Sequence, residues 1–138
     1  MEKYPTMLFV VAAALINERD EILLQKRPDG RSMAGLWEFP GGKVDAGESP
    51  ESALIRELHE ELGIVAELET LVPLAFASEP LADQHLLLLL YTCRIWAGEP
   101  LPLESPEIAW MQIQNMRVLD MPPADKPFID ALELFLRG

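Results

Sequence analysis

Glu57, Glu60 and Glu61 crowd together in the stretch "GGKVDAGESPESALIRELHEELGI", residues Gly41 to Ile64, behind a glycine-rich loop that carries Glu48. Like charges three or four residues apart on a helix repel by roughly 0.2–0.5 kcal/mol per pair. Folding alone disfavours that pattern, so a positive partner is expected there. The chemistry that fits is a hard divalent cation. Mg²⁺ takes oxygen ligands, keeps several waters and is commonly shared between carboxylates and substrate phosphates. The chain offers no His/Cys ligand pattern for zinc and no G-x-x-x-x-G-K-[ST] phosphate loop. Arg56 neighbours the acids and can orient one of them through a charge-assisted bond. Gly41 and Gly42 let backbone carbonyls approach closely. The competing reading is a solvated acidic helix face.

The elements that position these residues are legible around them. Ser49 is a good N-cap, Pro50 sits at the first helical position and Gly63 follows the last turn, which predicts a helix over 50–62. Leu54, Ile55, Leu58 and Leu62 form its apolar stripe. At about 100° per residue, Glu57, Glu60 and Glu61 lie together at the edge of that buried face. Upstream, "MLFVVAAALIN" (7–17) and "EILLQKR" (21–27) read as two strands of a hairpin. Residues 28–35 form a loop, and "LWEFPGGKV" (36–44) is a short strand entering a tight glycine turn. Downstream, 64–78 and 84–98 read as two long strands, the second apolar enough for burial on both faces. Residues 106–113 make a further strand, and 123–138 close the chain as an amphipathic helix. Strands mixed with two well-separated helices predict an α/β sandwich with the sheet between the helices.

Composition narrows the function. A chain of 138 residues, 49 % hydrophobic, fits a single domain over 1–138 with a real core. The net charge of −12 argues against nucleic-acid polymers, which need a basic footprint. A small phosphate ligand stays open if metal ions bridge the anions. No apolar run approaches about 18 residues, so no membrane span is expected. The N-terminus lacks the cationic start and cleavage site of a signal peptide, and a soluble cytoplasmic protein is the expectation. Cys93 alone forms no internal disulfide and reads as a small buried hydrophobe.

The pattern G-x5-E-x7-R-E-U-x-E-E-x-G-U, with U a bulky aliphatic, is met in full by Gly42, Glu48, Arg56, Glu57, Leu58, Glu60, Glu61, Gly63 and Ile64. This stretch resembles the signature box of the Nudix hydrolases. "ILLQKRP" and "GLWEFPGGKV" before it, and "MPPADKPFIDAL" after it, are similar to the MutT-type nucleoside triphosphate pyrophosphohydrolases, while 65–105 matches loosely. The resemblance implies an α/β/α sandwich, with a mixed sheet between helices and the box as loop–helix–loop. It implies Mg²⁺, with Mn²⁺ as the alternative, held by Glu57, Glu60, Glu61 and the carbonyl of Gly41. It makes Arg56 the residue that orients Glu57, with Glu48, Gly42 and Gly63 supporting the box. It adds a further acid near the metal, best matched by Glu104 with Glu107 as competitor, and a phosphate contact from Arg27. The implied reaction is water attack on a nucleoside triphosphate at the β-phosphorus, giving NMP and pyrophosphate, with Glu57 or Glu104 as base.

The base pocket is less decided. By the same resemblance Asp125 stands where mutator enzymes can carry an asparagine, which donates to O6 and accepts from N7–H of 8-oxoguanine. An ionised Asp125 only accepts. It would suit the amino group of cytosine or the N1–H edge of guanine. Asp125 also reads as an N-cap for a helix over 126–137. Phe39, Leu36 and Trp37 either wall the base or pack in the core. The expected substrate is 8-oxo-dGTP or a similar non-standard nucleotide. The alternatives are CTP or 5-methyl-dCTP, and ADP-ribose, for which Pro80 lies 16 residues past Ile64 as a weak mark. A non-catalytic nucleotide sensor is disfavoured by the intact box. Monomer and homodimer both remain open.

Overall fold

The alternation of side chains along a strand sends successive residues to opposite faces, and the first strand uses both. In the computed structural model, which describes residues 6–30 and 32–138, β1 spans Thr6–Leu15. Its Val11, Ala13 and Leu15 enter one hydrophobic core, while Ala12 and Ala14 enter another. β2 (Ile22–Lys26) repeats this, with Leu23 on the first side and Ile22 and Leu24 on the second.

Two sheets result. β4 (Gly41–Lys43), β1, β6 (Gln84–Cys93) and β5 (Val72–Pro80) form a four-stranded sheet in that order. In it β1 and β6 run parallel, and the other two pairings are antiparallel. β3 (Trp37–Glu38), β2 and β7 (Ile108–Met111) form an antiparallel three-stranded sheet. Helix α1 (Pro50–Leu62) packs Ala53, Leu54, Leu58 and Leu62 into the core with Val11 and Leu23. A four-residue α2 (Ile113–Met116) and α3 (Phe128–Arg137) cover the opposite core through Met116, Phe128, Ile129 and Leu132. The α/β sandwich with strands between helices is therefore the architecture. Among the described residues no helix is long and apolar enough to cross a membrane.

Four local expectations are corrected. The predicted hairpin of 7–17 and 21–27 closes only at its turn, through the bridge Ile16↔Ile22, and its strands then part into different sheets. Both faces of both strands are apolar, so each can be buried without the other. The strand predicted over 64–78 begins at Val72, after the bridge Val65↔Ala97 and a 3-10 turn at Leu68–Thr70. The Thr70 hydroxyl donates to the Glu67 carbonyl in that turn, a local bond that competes with a ladder. The strand predicted over 84–98 ends at Cys93, which is buried. The last helix begins at Phe128 rather than 123, because Pro122, Pro123 and Pro127 hold the preceding residues in turns. Its cap is Pro127 with no side-chain bond, so Asp125 does not cap it.

Candidate active site

Helix α1 is anchored at both ends. The Ser49 hydroxyl accepts from the Ser52 N–H at 3.1 Å, and Gly63 takes the left-handed conformation at φ 74°. Along the helix, the three box glutamates meet three environments. Glu61 follows Leu54 and Leu58 at i+7 and i+3, falls inside the apolar stripe and is only 6 % exposed. Glu57, on the stripe's edge, is half-buried. Glu60 is exposed and turned to Arg56 at 3.2 Å.

Glu61 is held from two strands. The Gln25 Nε2 on β2 and the Gly41 N–H on β4 both donate to it. Burial raises its carboxyl to about 8, and the charge of Glu57 adds to the shift against those two bonds. Burial likewise raises Glu57, opposed by the Arg56 guanidinium and reinforced by Glu60 and Glu104. Glu57 and Glu61 line the same cavity, and the charge of Glu57 acts on Glu61.

The glycines of the turn are fixed by steric demand. A Cβ on Gly42 would lie 1.7 Å from Glu57 Oε2, and one on Gly41 would lie 2.0 Å from the Val11 carbonyl oxygen. Arg56 lies behind this wall. Its Nε and Nη2 donate to Glu48 at 2.7 and 2.9 Å, and Nη2 also reaches the Lys43 carbonyl at 3.2 Å. Those bonds hold Glu48 well below the usual carboxylate range, at about 2. Arg56 reaches Glu57 only at 3.6 Å, so Glu48 is its principal partner.

Glu104 arrives on a loop strapped across the end of α1, where Leu101 N–H donates to the Leu62 carbonyl and Leu103 N–H to the Glu61 carbonyl. It lines the same cavity as Gly41, Glu57 and Glu61; Glu60 and Glu107 do not.

That cavity encloses about 820 Å³, within the range that holds a small ligand. Its other end is apolar, walled by Val10, Ala12, Leu86, Leu88, Phe39 and Pro122, and Asp125 lies there. Asp125 is 6 % exposed and accepts a bond from the Phe39 N–H. Burial first, and then the charge of Glu38, lift its carboxyl to about 7, against the pull of that bond and of Arg27. Arg27 also lines the cavity, pairing with Glu38 at 2.8 Å and donating to the Ser32 carbonyl at 2.9 Å. Trp37 and Leu36 do not line the cavity, while Phe39 does and also meets Phe128 edge-on at 6.1 Å.

Two residues escaped the sequence reading. Gln25 and Glu38 are directly paired across β2 and β3, and both line the cavity. Their signal was a polar residue inside an apolar run, in "ILLQK" and "LWEF".

The NUDIX domain model matches residues 7–132, and the chain belongs to that family. It is 36 % identical over 126 residues to the 8-oxo-dGTP diphosphatase of Escherichia coli K12, covering 91 % of this chain and 96 % of that one. It is 36 % identical over 121 residues to the CTP pyrophosphohydrolase of the same organism, covering 88 % of each. The solution structure of the E. coli ORF135 protein superposes with a TM-score of 0.82 at 36 % identity, covering 97 % of this chain and 93 % of that one. The chain is a pyrophosphohydrolase of the MutT type.

Nudix hydrolases generally need a divalent metal, and the residues here fit one. The donors are hard oxygens, and the Glu57–Glu61 pair sits where burial and mutual charge call for a cation. The buried Gln25 Oε1 beside them has no protein partner. Among the described residues, no three carboxylate, imidazole or thiolate groups converge into a ready-made cage.

Proposed function

We propose that the protein hydrolyses nucleoside triphosphates to NMP and pyrophosphate with Mg²⁺, and that oxidised guanine nucleotides of the 8-oxo-dGTP type are its substrates. The observation that carries this reading is one cavity lined by Glu57 and the buried Glu61 on one wall and by the buried Asp125 at the other end.

Glu57, Glu61 and the Gly41 carbonyl would hold the cation, with Glu104 approaching from its loop and Glu60 on the outer side. When bound, the ion neutralises the polyphosphate and stabilises the leaving oxygen. Arg56, locked by Glu48, keeps Glu57 turned toward the cavity. Arg27, braced by Glu38 and the Ser32 carbonyl, meets the phosphates from the β2 side. Glu57 or Glu104 accepts the proton of the attacking water.

The base enters between Phe39 and the apolar wall, and Asp125 reads it. A protonated carboxyl carries one O–H donor and keeps an acceptor oxygen. It matches O6 and N7–H of 8-oxoguanine as an amide would. Because Asp125 titrates near 7, this form is populated around neutral pH. Ionised, it only accepts and fits the amino group of cytosine. The second reading, a CTP or 5-methyl-dCTP pyrophosphohydrolase, is favoured by that form and by the likeness to the E. coli CTP enzyme. The enzyme would work on free cytoplasmic nucleotides as a monomer or homodimer, without nucleic-acid polymers, in keeping with its charge of −12.

The test is pyrophosphate release with Mg²⁺ from 8-oxo-dGTP, dGTP, CTP, 5-methyl-dCTP and ADP-ribose. Turnover highest on 8-oxo-dGTP and abolished in Glu57→Gln is the expected result. A preference for the cytosine nucleotides moves the protein to the second reading. AMP and ribose phosphate from ADP-ribose alone would overturn both.

A further inference from the structure

Strand β2 reads Ile22-Leu23-Leu24-Gln25, and its two-residue period puts Gln25 on the face of Leu23, toward α1. An apolar side chain would extend that core. The chain instead places a glutamine there that is only 5 % exposed. Its Nε2 donates to Glu61 Oε1, and its backbone is fixed on both sides by the pairings to Glu38 and Ile108. Its Oε1 has no partner, and it is the one buried side-chain polar atom so placed among the described residues. Buried acceptors are nearly always satisfied. Gln25 also lines the cavity where the cation is expected, so a donor arriving from the cavity side is the fitting partner. A divalent ion of the Mg²⁺ kind keeps several waters when protein-bound, and such waters supply O–H donors next to Glu61.

We propose that Gln25 is a positioning residue for the divalent cation: its Nε2 fixes one oxygen of Glu61, and its Oε1 takes a hydrogen bond from a water of the cation's shell. This rests on the reading that Glu61 faces the cation. Gln25 acts through Glu61 and through water, as partners behind metal ligands do.

The test is Mn²⁺ titration of the full-length protein without substrate, followed by electron paramagnetic resonance, with thermal melting in EDTA alongside. Wild type is compared with Gln25→Leu, Gln25→Met and Glu61→Gln. The expected result is a Kd raised about 10–100-fold in both Gln25 variants, with melting in EDTA unchanged or higher. Affinity within about twofold of wild type in both variants, while Glu61→Gln binds weakly, would overturn this inference alone. Wild-type affinity in Glu61→Gln, or no Mn²⁺ binding by wild type, would overturn the cation-site reading and this inference with it. Loss of folding in both apolar variants would assign Gln25 to the fold instead and likewise overturn it.

Discussion

Glu61 and Asp125 are the two deeply buried carboxyls of one cavity, and they solve burial differently. Each has its pKa raised, with burial as the largest cause, and each accepts a backbone N–H, from Gly41 and Phe39 respectively. Glu61 has a second acid, Glu57, whose charge acts on it, and an amide, Gln25, that donates to it. Such a pair is relieved by a cation. Asp125 instead lies in an apolar pocket with Glu38 and Arg27 as the charges acting on it. That environment favours a neutral carboxyl that can donate. On the proposed reading the same side-chain chemistry would serve cleavage at one end and recognition at the other, because the neighbours differ.

The contrast is broken most severely at the cleavage end. Glu57→Gln and Glu61→Gln should each lower kcat on the order of 10²–10⁴-fold. Melting in EDTA should stay level or rise as like-charge repulsion falls. Equal loss of folding in both would make the cluster structural.

At the recognition end, the next largest effect is on stability. The Asp125 carboxyl is raised from 3.8 to about 7 on folding. Unfolded chains shed this proton as pH climbs past about 4 while the folded state keeps it. The buried acid therefore favours the fold below its unfolded pKa. That advantage is lost as pH rises toward 7 and stays lost above it. Asp125→Asn should raise stability at pH 8 by on the order of 1–4 kcal/mol, at ~1.4 kcal/mol per pKa unit. The gain should shrink toward pH 4, as denaturant melts across that window will read.

Smaller again is the pH profile. With 8-oxo-dGTP, kcat/KM should fall up to about tenfold per pH unit above 7 as the donor is lost, and Asp125→Asn should flatten that limb. A contrast far from both acids sharpens the comparison. Ser49→Ala removes the cap of α1 and should cost about 1 kcal/mol of stability, seen by melting, with kcat unchanged.

How much of this could be read beforehand follows the range of the forces involved. Helix α1, its cap and its C-terminal glycine rest on local signals, and they stand at the expected positions. The different fates of Glu60 and Glu61, adjacent in sequence, depend on what α1 packs against, since only Glu61 meets β2 and β4. Asp125 carried a local signal for a cap, and tertiary burial against Phe39 overrode it. Gln25 and Glu38 face one another across two separate strands, so no period within either strand joins them. The parting of β1 and β2 into separate sheets was hidden for the same reason, because a strand apolar on both faces does not name its neighbour.

The most direct measurement is the ratio of pyrophosphate release from 8-oxo-dGTP to that from CTP, taken at pH 6 and pH 8 for wild type and Asp125→Asn. The account predicts a wild-type ratio that falls sharply at pH 8 and a ratio in Asp125→Asn that is high and independent of pH. A wild-type ratio that does not move with pH, or one that moves equally in Asp125→Asn, would contradict it.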